Sequence, residues 1–250
     1  MLSSQRLKVR LKPVLRKVPG FRAARFIYRL LDNVESRNAA LLLLRPPEGL
    51  FQPYGTTFHD RFSQIFKLVR AELGDSADLR LLSFGCATGE EVFSLRRYFP
   101  MAVIVGLDIN RHNISVCRSR LRRARDSRLI FAQASSTIGE PDASCDAIFA
   151  MAVFRHGDLN LSPPPPRCDH RIRFAEFEKS VADPARCLKP GGLLVIHHAM
   201  FRFGDTRVAE QFQPVECAGQ FLEGPLYDRT NCRLPADIYP HVIFRKLPPA

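Results

Sequence analysis

The chain has 250 residues, 46% hydrophobic and 25% charged, the balance of an ordinary globular protein with one full core and an appendage. No apolar run approaches the roughly 20 residues that span a bilayer. Seven cysteines, an odd number without C-x-x-C or other ligand spacing, argue for free, mostly buried thiols in a reducing, cytoplasmic setting and against a metal site. The net charge of +12 is uneven, for residues 1–31 hold nine Lys or Arg and no acid.

In chain order, Met1 to Gly20 is basic and interrupted by Pro13 and Pro19, without the apolar core of a secretory signal. From Arg22 the pattern predicts a helix, with Ile27, Leu30, Leu31 and Val34 on an apolar stripe and Arg22, Arg25 and Arg29 on another face. Leu41 to Leu44 is expected to pack within the fold, and Arg45-Pro46-Pro47 stops the helix because a residue before proline is steered out of the α region. Residues 1–48 thus read as a basic helical extension. Three uses stay open for it: a packed helix with a solvated basic face, a contact with an anionic membrane surface or lipid-linked partner, and a nucleic-acid or transit function. A loop over residues 52–57 leads to a second helical pattern in Phe58, Phe62, Ile65, Phe66 and Val69, closed by Gly74-Asp75.

The most informative stretch follows. Leu79 to Phe84 reads as a buried strand, Gly85-Cys86-Ala87-Thr88-Gly89 as a tight turn, and Val92, Leu95 and Phe99 as one face of a helix. Glycines there allow positive φ and close approach of a ligand, and the helix start beyond them offers free N–H groups to an anion. A second strand, Ala102 to Leu107, ends on Asp108, nineteen positions after Gly89. An acid about 20 residues past such a turn is where doubly wound folds hold ribose hydroxyls. Neither the G-x-G-x-x-G dinucleotide fingerprint nor a G-K-[ST] phosphate loop is present.

The run G-C-A-T-G-E-E instead resembles motif I of class I S-adenosylmethionine-dependent methyltransferases, in the form found in the chemotaxis-receptor glutamate methyltransferase-like group. Leu188-Lys189-Pro190-Gly191-Gly192 running into Leu193 to Ile196 resembles the same family's turn into its fifth strand, and Thr56-x-Phe58 resembles its approach segment. The resemblance implies an α/β, doubly wound, mostly parallel seven-stranded sheet, Rossmann-like, over residues 49–250. It implies S-adenosyl-L-methionine as cofactor, with Gly85, Cys86, Ala87, Thr88, Gly89 and Glu90 lining its methionine end. Asp108 would take the ribose, Ile109 would pack on the adenine, and Ser135 would accept from the adenine amine.

Beyond Asp108, a helix around Ile114, Cys117 and Leu121 shows a solvated arginine face, followed by strands at Leu129 to Ala132 and Asp146 to Ala150. Val153 sits at the carboxyl end of the latter, where ligands lie in open α/β sheets. Pro163 to Pro166 form an extended loop, Phe174, Phe177 and Val181 a helix, and His241 to Arg245 a last strand. His156 is the candidate general base. His197 and His198 end the fifth strand, where alternation would turn only one inward. The Asn-Pro-Pro-Tyr grip on base amines is absent, since the fourth strand runs into Ala150-Met151-Ala152-Val153. The expected activity is methyl transfer to an oxygen, carboxylate or hydroxyl, of a small molecule, lipid-linked sugar or protein carboxyl. A nucleic-acid methyltransferase and a non-catalytic cofactor-binding module are the alternatives.

Overall fold

The apolar run before the glycine turn becomes β1 (Arg80–Phe84), and every later sheet element is placed relative to it. The computed structural model describes residues 20–32, 34–53, 55, 57–215, 224–235 and 239–249; residues 1–19 of the basic extension and Thr56 of the approach segment lie outside them. The chain divides into two compact units at Pro46.

In the first unit, α1 (Phe21–Leu31) and α2 (Val34–Leu44) replace the single helix read from the sequence. Asp32 closes α1 through its N–H to the Tyr28 carbonyl, and its carboxylate accepts from Ser36 Oγ of α2 at 2.9 Å. Ala39 and Ala40 are buried, but the expected apolar stripe is not: Ile27 is 55% and Leu31 79% exposed. Leu41, Leu43 and Leu44, expected inside the fold, are exposed as well.

In the second unit, α3 (Ser63–Leu73) starts later than its pattern suggests. Asp60 takes φ +58 and breaks the periodicity, leaving Phe58 outside the helix and exposed. Then come β1, α4 (Glu90–Tyr98), β2 (Val103–Asp108), α5 (Arg111–Ala124), β3 (Leu129–Gln133), β4 (Cys145–Met151), α6 (Phe174–Cys187), β5 (Leu188–His197), β6 (Phe212–Pro214) and β7 (Ile243–Lys246). The seven strands form one sheet in the order β3-β2-β1-β4-β5-β7-β6. The first five run parallel, and β7 pairs antiparallel with both β5 and β6. This is the doubly wound α/β fold expected from the sequence. The short β6 is the one strand the pattern did not show.

Strand alternation sorts the core into two faces. Leu82, Phe84, Val105, Ile148, Leu194 and Ile196 meet Phe174, Phe177 and Val181 of α6. Leu81, Ile104, Ala147, Phe149, Leu193 and Val195 meet Ile65, Phe66, Val92, Leu95, Ile114 and Cys117 of α3, α4 and α5. With helices on both faces, open space for a ligand lies at the carboxyl ends of the strands, beside β1 and β4, where the strand order reverses.

Candidate active site

The turn after β1 is held from below. Gly85 and Cys86 N–H groups both donate to the Leu107 carbonyl, at 2.8 and 2.9 Å, and Ala87 N–H donates to Asp108 Oδ2 at 2.8 Å. Gly85, Ala87 and Gly89 all have positive φ, which glycine tolerates and Ala87 adopts at a cost. Gly85 is exposed, yet a Cβ there would sit 2.6 Å from Val153 Cγ2 at the end of β4. At Gly89, which precedes α4, a Cβ would lie 3.1 Å from Cys117 Sγ, so α5 packs directly on the turn.

Asp108, only 7% exposed, is the hub of this packing. Its Oδ1 accepts from Asn110 N–H at 2.8 Å and from Asn113 Nδ2 at 3.0 Å, while Oδ2 accepts from Ala87. Burial pushes its carboxyl above the usual range, and these three hydrogen bonds pull it back. A carboxylate has about four acceptor positions, so these three hydrogen bonds leave one, on Oδ2. Asn113, five residues on from the acid, was invisible as a partner until α5 wound it back.

The two adjacent glutamates of the motif part company. Glu90 accepts from Thr88 Oγ1 at 2.7 Å and from Arg120 at 2.6 Å, and Arg120 also binds the Thr88 carbonyl. Its carboxylate is therefore spent on bracing the turn against α5. Glu91 is turned into the fold instead, accepting from Ser83 Oγ at 2.7 Å. Desolvation pushes Glu91 up to about 8, against the pull of Ser83 and the Arg61 charge, so it is mostly protonated at neutral pH.

A segment read only as a loop crosses the strand ends. A Cβ on Gly49 would lie 3.0 Å from the Ser135 carbonyl after β3, Phe51 stacks edge-on against Phe154 at 5.2 Å, and Gln52 Nε2 donates to the Ala152 carbonyl at 2.8 Å. A Cβ on Gly55 would be 3.0 Å from that of Ala87 and 3.7 Å from Asn113 Nδ2. The candidate adenosine residues Asp108, Ile109 and Ser135 thus lie at the ends of β2 and β3, with residues 49–53 and Gly55 running over the turn beside them.

On the other side of β1, Asp60 N–H donates to Ser94 Oγ at 2.8 Å and Tyr98 donates to Asp60 Oδ1 at 2.9 Å, pinning the chain to α4 just before Arg61 and Phe62. The Phe62 ring receives the Arg61 guanidinium at 4.9 Å, His197 edge-on at 5.3 Å and His198 at 6.1 Å. The two imidazoles are 4.1 Å apart. Alternation fails here because His198 adopts φ +53, swinging its ring back beside His197. Burial, then the adjacent His198 and the Arg61 and Arg155 charges, hold His197 down to about 3, and burial with the same two arginines holds His198 to about 4, so both are neutral at pH 7.

His156 caps a turn. Its Nδ1 accepts from Asp158 N–H at 3.1 Å as the cap of a short 3₁₀ turn over Gly157–Leu159, and Asp158 in turn pairs with Arg171 at 3.2 Å. Accepting at Nδ1 leaves Nε2 as the protonated nitrogen of the neutral ring. The sequence-predicted base is built into a loop turn. Among the described residues no group of three or more His, Cys, Asp or Glu is placed to hold a metal ion, and no helix is long and apolar enough to cross a membrane.

The chain is similar in part to several known proteins. Demethylmenaquinone methyltransferase from Thermus thermophilus is 28% identical over 123 residues, which is 49% of this chain and 48% of that one. The chain thus spans about half the length of this curated relative. Among solved structures, the YcgJ protein of Bacillus subtilis is 21% identical, covering 54% of this chain and 50% of its own, with a TM-score of 0.40. Phosphoethanolamine N-methyltransferase 2 of Haemonchus contortus, in complex with S-adenosyl-L-methionine, is 19% identical, covering 68% and 35%, with a TM-score of 0.43. Residues 82–196, from within β1 to the penultimate residue of β5, match the family model described as a methyltransferase domain.

Proposed function

We propose that this chain is an S-adenosyl-L-methionine-dependent methyltransferase that acts on an oxygen atom of its acceptor. The observation that carries the reading is the buried Asp108 carboxylate, locked to the positive-φ turn and keeping one Oδ2 acceptor position. That donor set fits the cofactor: a single acceptor for a ribose hydroxyl, beside a glycine at position 85 where any side chain would drive into Val153. The bound cofactor supplies a methyl group already activated by its sulfonium centre. The chain's own contribution is to align and desolvate.

Asp108 would hold the ribose, Ile109 would flank the adenine and Ser135 would accept from its amine. Gly85, Cys86, Ala87, Thr88 and Gly89 would form the wall at the methionine end, with Val153 opposite and Glu90 bracing the turn through Thr88 and Arg120. A carboxylate acceptor needs no base, whereas a hydroxyl must lose a proton. With His156 committed to a turn and His197 and His198 poor bases, carboxylate is the favoured oxygen. The likeness of the turn to that of the glutamate methyltransferase group points the same way. Calorimetry with S-adenosylhomocysteine tests the core of the reading: wild type binds, and Gly85→Val does not. Labelled methyl transfer into fractionated lysate then identifies the acceptor, and N-methylated bases as sole product would refute the oxygen assignment.

We further infer that the leading residues contact an anionic membrane surface. Residues 1–31 hold nine positive charges and no acid, and Ile27, Tyr28 and Leu31 among them are exposed, the pairing of apolar groups and cations that such surfaces bind. Deleting residues 1–46 should reduce co-sedimentation with phosphatidylserine vesicles and spare S-adenosylhomocysteine affinity. Equal co-sedimentation of the two forms at low salt would count against the attachment.

A further inference from the structure

The half of the site on the β4–β5 side of the turn has a chemistry of its own. The sheet order sets β2 and β3, with Asp108 and Ser135, on one side of β1, and β4 and β5 on the other. Arg155 follows Val153 by two residues, and Val153 Cγ2 faces the α-carbon of Gly85, so Arg155 leaves the sheet at the lip of the turn. One strand further, β5 pairs with β4 through Met151 and His197, which brings His197 and His198 to the same rim. Phe62 collects His197, His198 and the Arg61 guanidinium around one ring.

We propose that Arg155, with Arg61 and the two histidines around Phe62, seats an oxyanion of the methyl acceptor, a carboxylate or phosphate group. This rests on the methyltransferase reading and specifies the substrate class of that same site. Arg155 is half-buried and has no ion pair with a carboxylate among the described residues, because the nearest acid in sequence, Asp158, is taken by Arg171. Burial and the like charge of Arg61 both disfavour the Arg155 cation. The Arg155 and Arg61 charges both act on the two neutral imidazoles, which makes this rim a cationic, donor-rich wall. A bound oxyanion is the group that offsets its desolvation, through charge-assisted and bidentate hydrogen bonds. The wall lies on the opposite side of β1 from the adenosine residues, which assigns it to the acceptor.

The test uses the full chain saturated with S-adenosylhomocysteine, labelled with ¹⁵N-arginine and titrated with inorganic phosphate and, separately, acetate. The proposal expects saturable shifts of the Arg155 Nε–H signal. It also expects phosphate binding about tenfold or more weaker in Arg155→Met, the scale of a lost hydrogen bond to a charged group. Arg155→Gln should show the same loss, and both variants should keep wild-type S-adenosylhomocysteine affinity and melting temperature. Absence of saturable binding of either anion to wild type overturns the proposal. So does an Arg155→Met variant that loses S-adenosylhomocysteine affinity while still binding phosphate, since the arginine then serves the cofactor's own carboxylate. Failure of wild type to bind S-adenosylhomocysteine at all overturns the methyltransferase reading itself, a result separate from either anion titration.

Discussion

Replacing Asp108 probes fold and site together. The side chain is buried and satisfies three donors: Ala87 N–H, Asn110 N–H and Asn113 Nδ2. Alanine leaves all three without it. Asn110 is near enough to the surface to find water, whereas Ala87 and Asn113 are buried. At about 1–3 kcal/mol for each buried donor left unpaired, the loss is roughly 2–6 kcal/mol, a large part of the roughly 5–15 kcal/mol that holds a domain together. Asp108→Ala should therefore be poorly folded, and asparagine is the better probe. Its cheaper orientation keeps an oxygen toward Asn110 and Asn113 and turns the amide nitrogen against Ala87 N–H. One charge-assisted bond is lost, about 1.5–3 kcal/mol, equivalent to a fall in melting temperature of roughly 3–12 °C for a domain of this size. The same exchange removes the one acceptor position left for a ribose hydroxyl, so S-adenosylhomocysteine should bind about tenfold more weakly. Differential scanning fluorimetry and calorimetry at pH 7.5 read the two effects. A variant within about 1 °C and about twofold of wild type would refute the role assigned to Asp108 on both counts.

Two pH dependences of opposite sign should coexist. The Glu91 pKa is raised to about 8, so the folded state binds its proton more tightly than the unfolded chain, and its contribution to stability falls as pH rises from about 4.5 to 8. Glu91→Gln should raise the melting temperature more at pH 8.5 than at pH 5, and an equal change at both would show that the carboxyl is not buried. His197 and His198 are lowered to about 3 and about 4, so stability is lost as pH falls below 6.5 and the neutral rings are forced to charge. His197→Gln should flatten the acid limb of the melting curve, which a solvated histidine would leave unchanged. Finally, His156→Ala should lower stability slightly, by about 0.5–1.5 kcal/mol for one turn hydrogen bond. It should leave turnover within a few-fold of wild type, and a loss of about 100-fold would restore His156 as the base and a hydroxyl as the acceptor.

Much of this architecture is a matter of local pattern. The runs ending at Phe84, Asp108, Ala132 and Ala150, the turn Gly85 to Gly89 and the helices of Val92, Ile114 and Phe177 are readable because burial on a sheet face or a helix stripe imposes a period on a few consecutive residues. They place the acid at the end of β2, and the motif resemblance implied the doubly wound order that the sheet shows. Three-residue β6 carries no period to read, and its existence depends on pairing with β7.

The site depended on contacts that no spacing encodes. Whether Glu90 or Glu91 points inward was settled by Arg120 reaching across from α5 and Ser83 rising from β1. Asn113 completes the shell of Asp108, and residues 49–53 and Gly55 cross the ends of β1, β3 and β4, only because distant segments meet there. His156 was the candidate base in sequence and caps a turn in the fold, while alternation turned only one of His197 and His198 inward and the left-handed backbone of His198 sets the two rings side by side. Sequence determines periodicity, and hence the elements and their order, because neighbouring residues share one local geometry. Orientation, partnership and charge state belong to the tertiary structure, because each depends on which groups from elsewhere exclude water around a side chain or supply its hydrogen bonds.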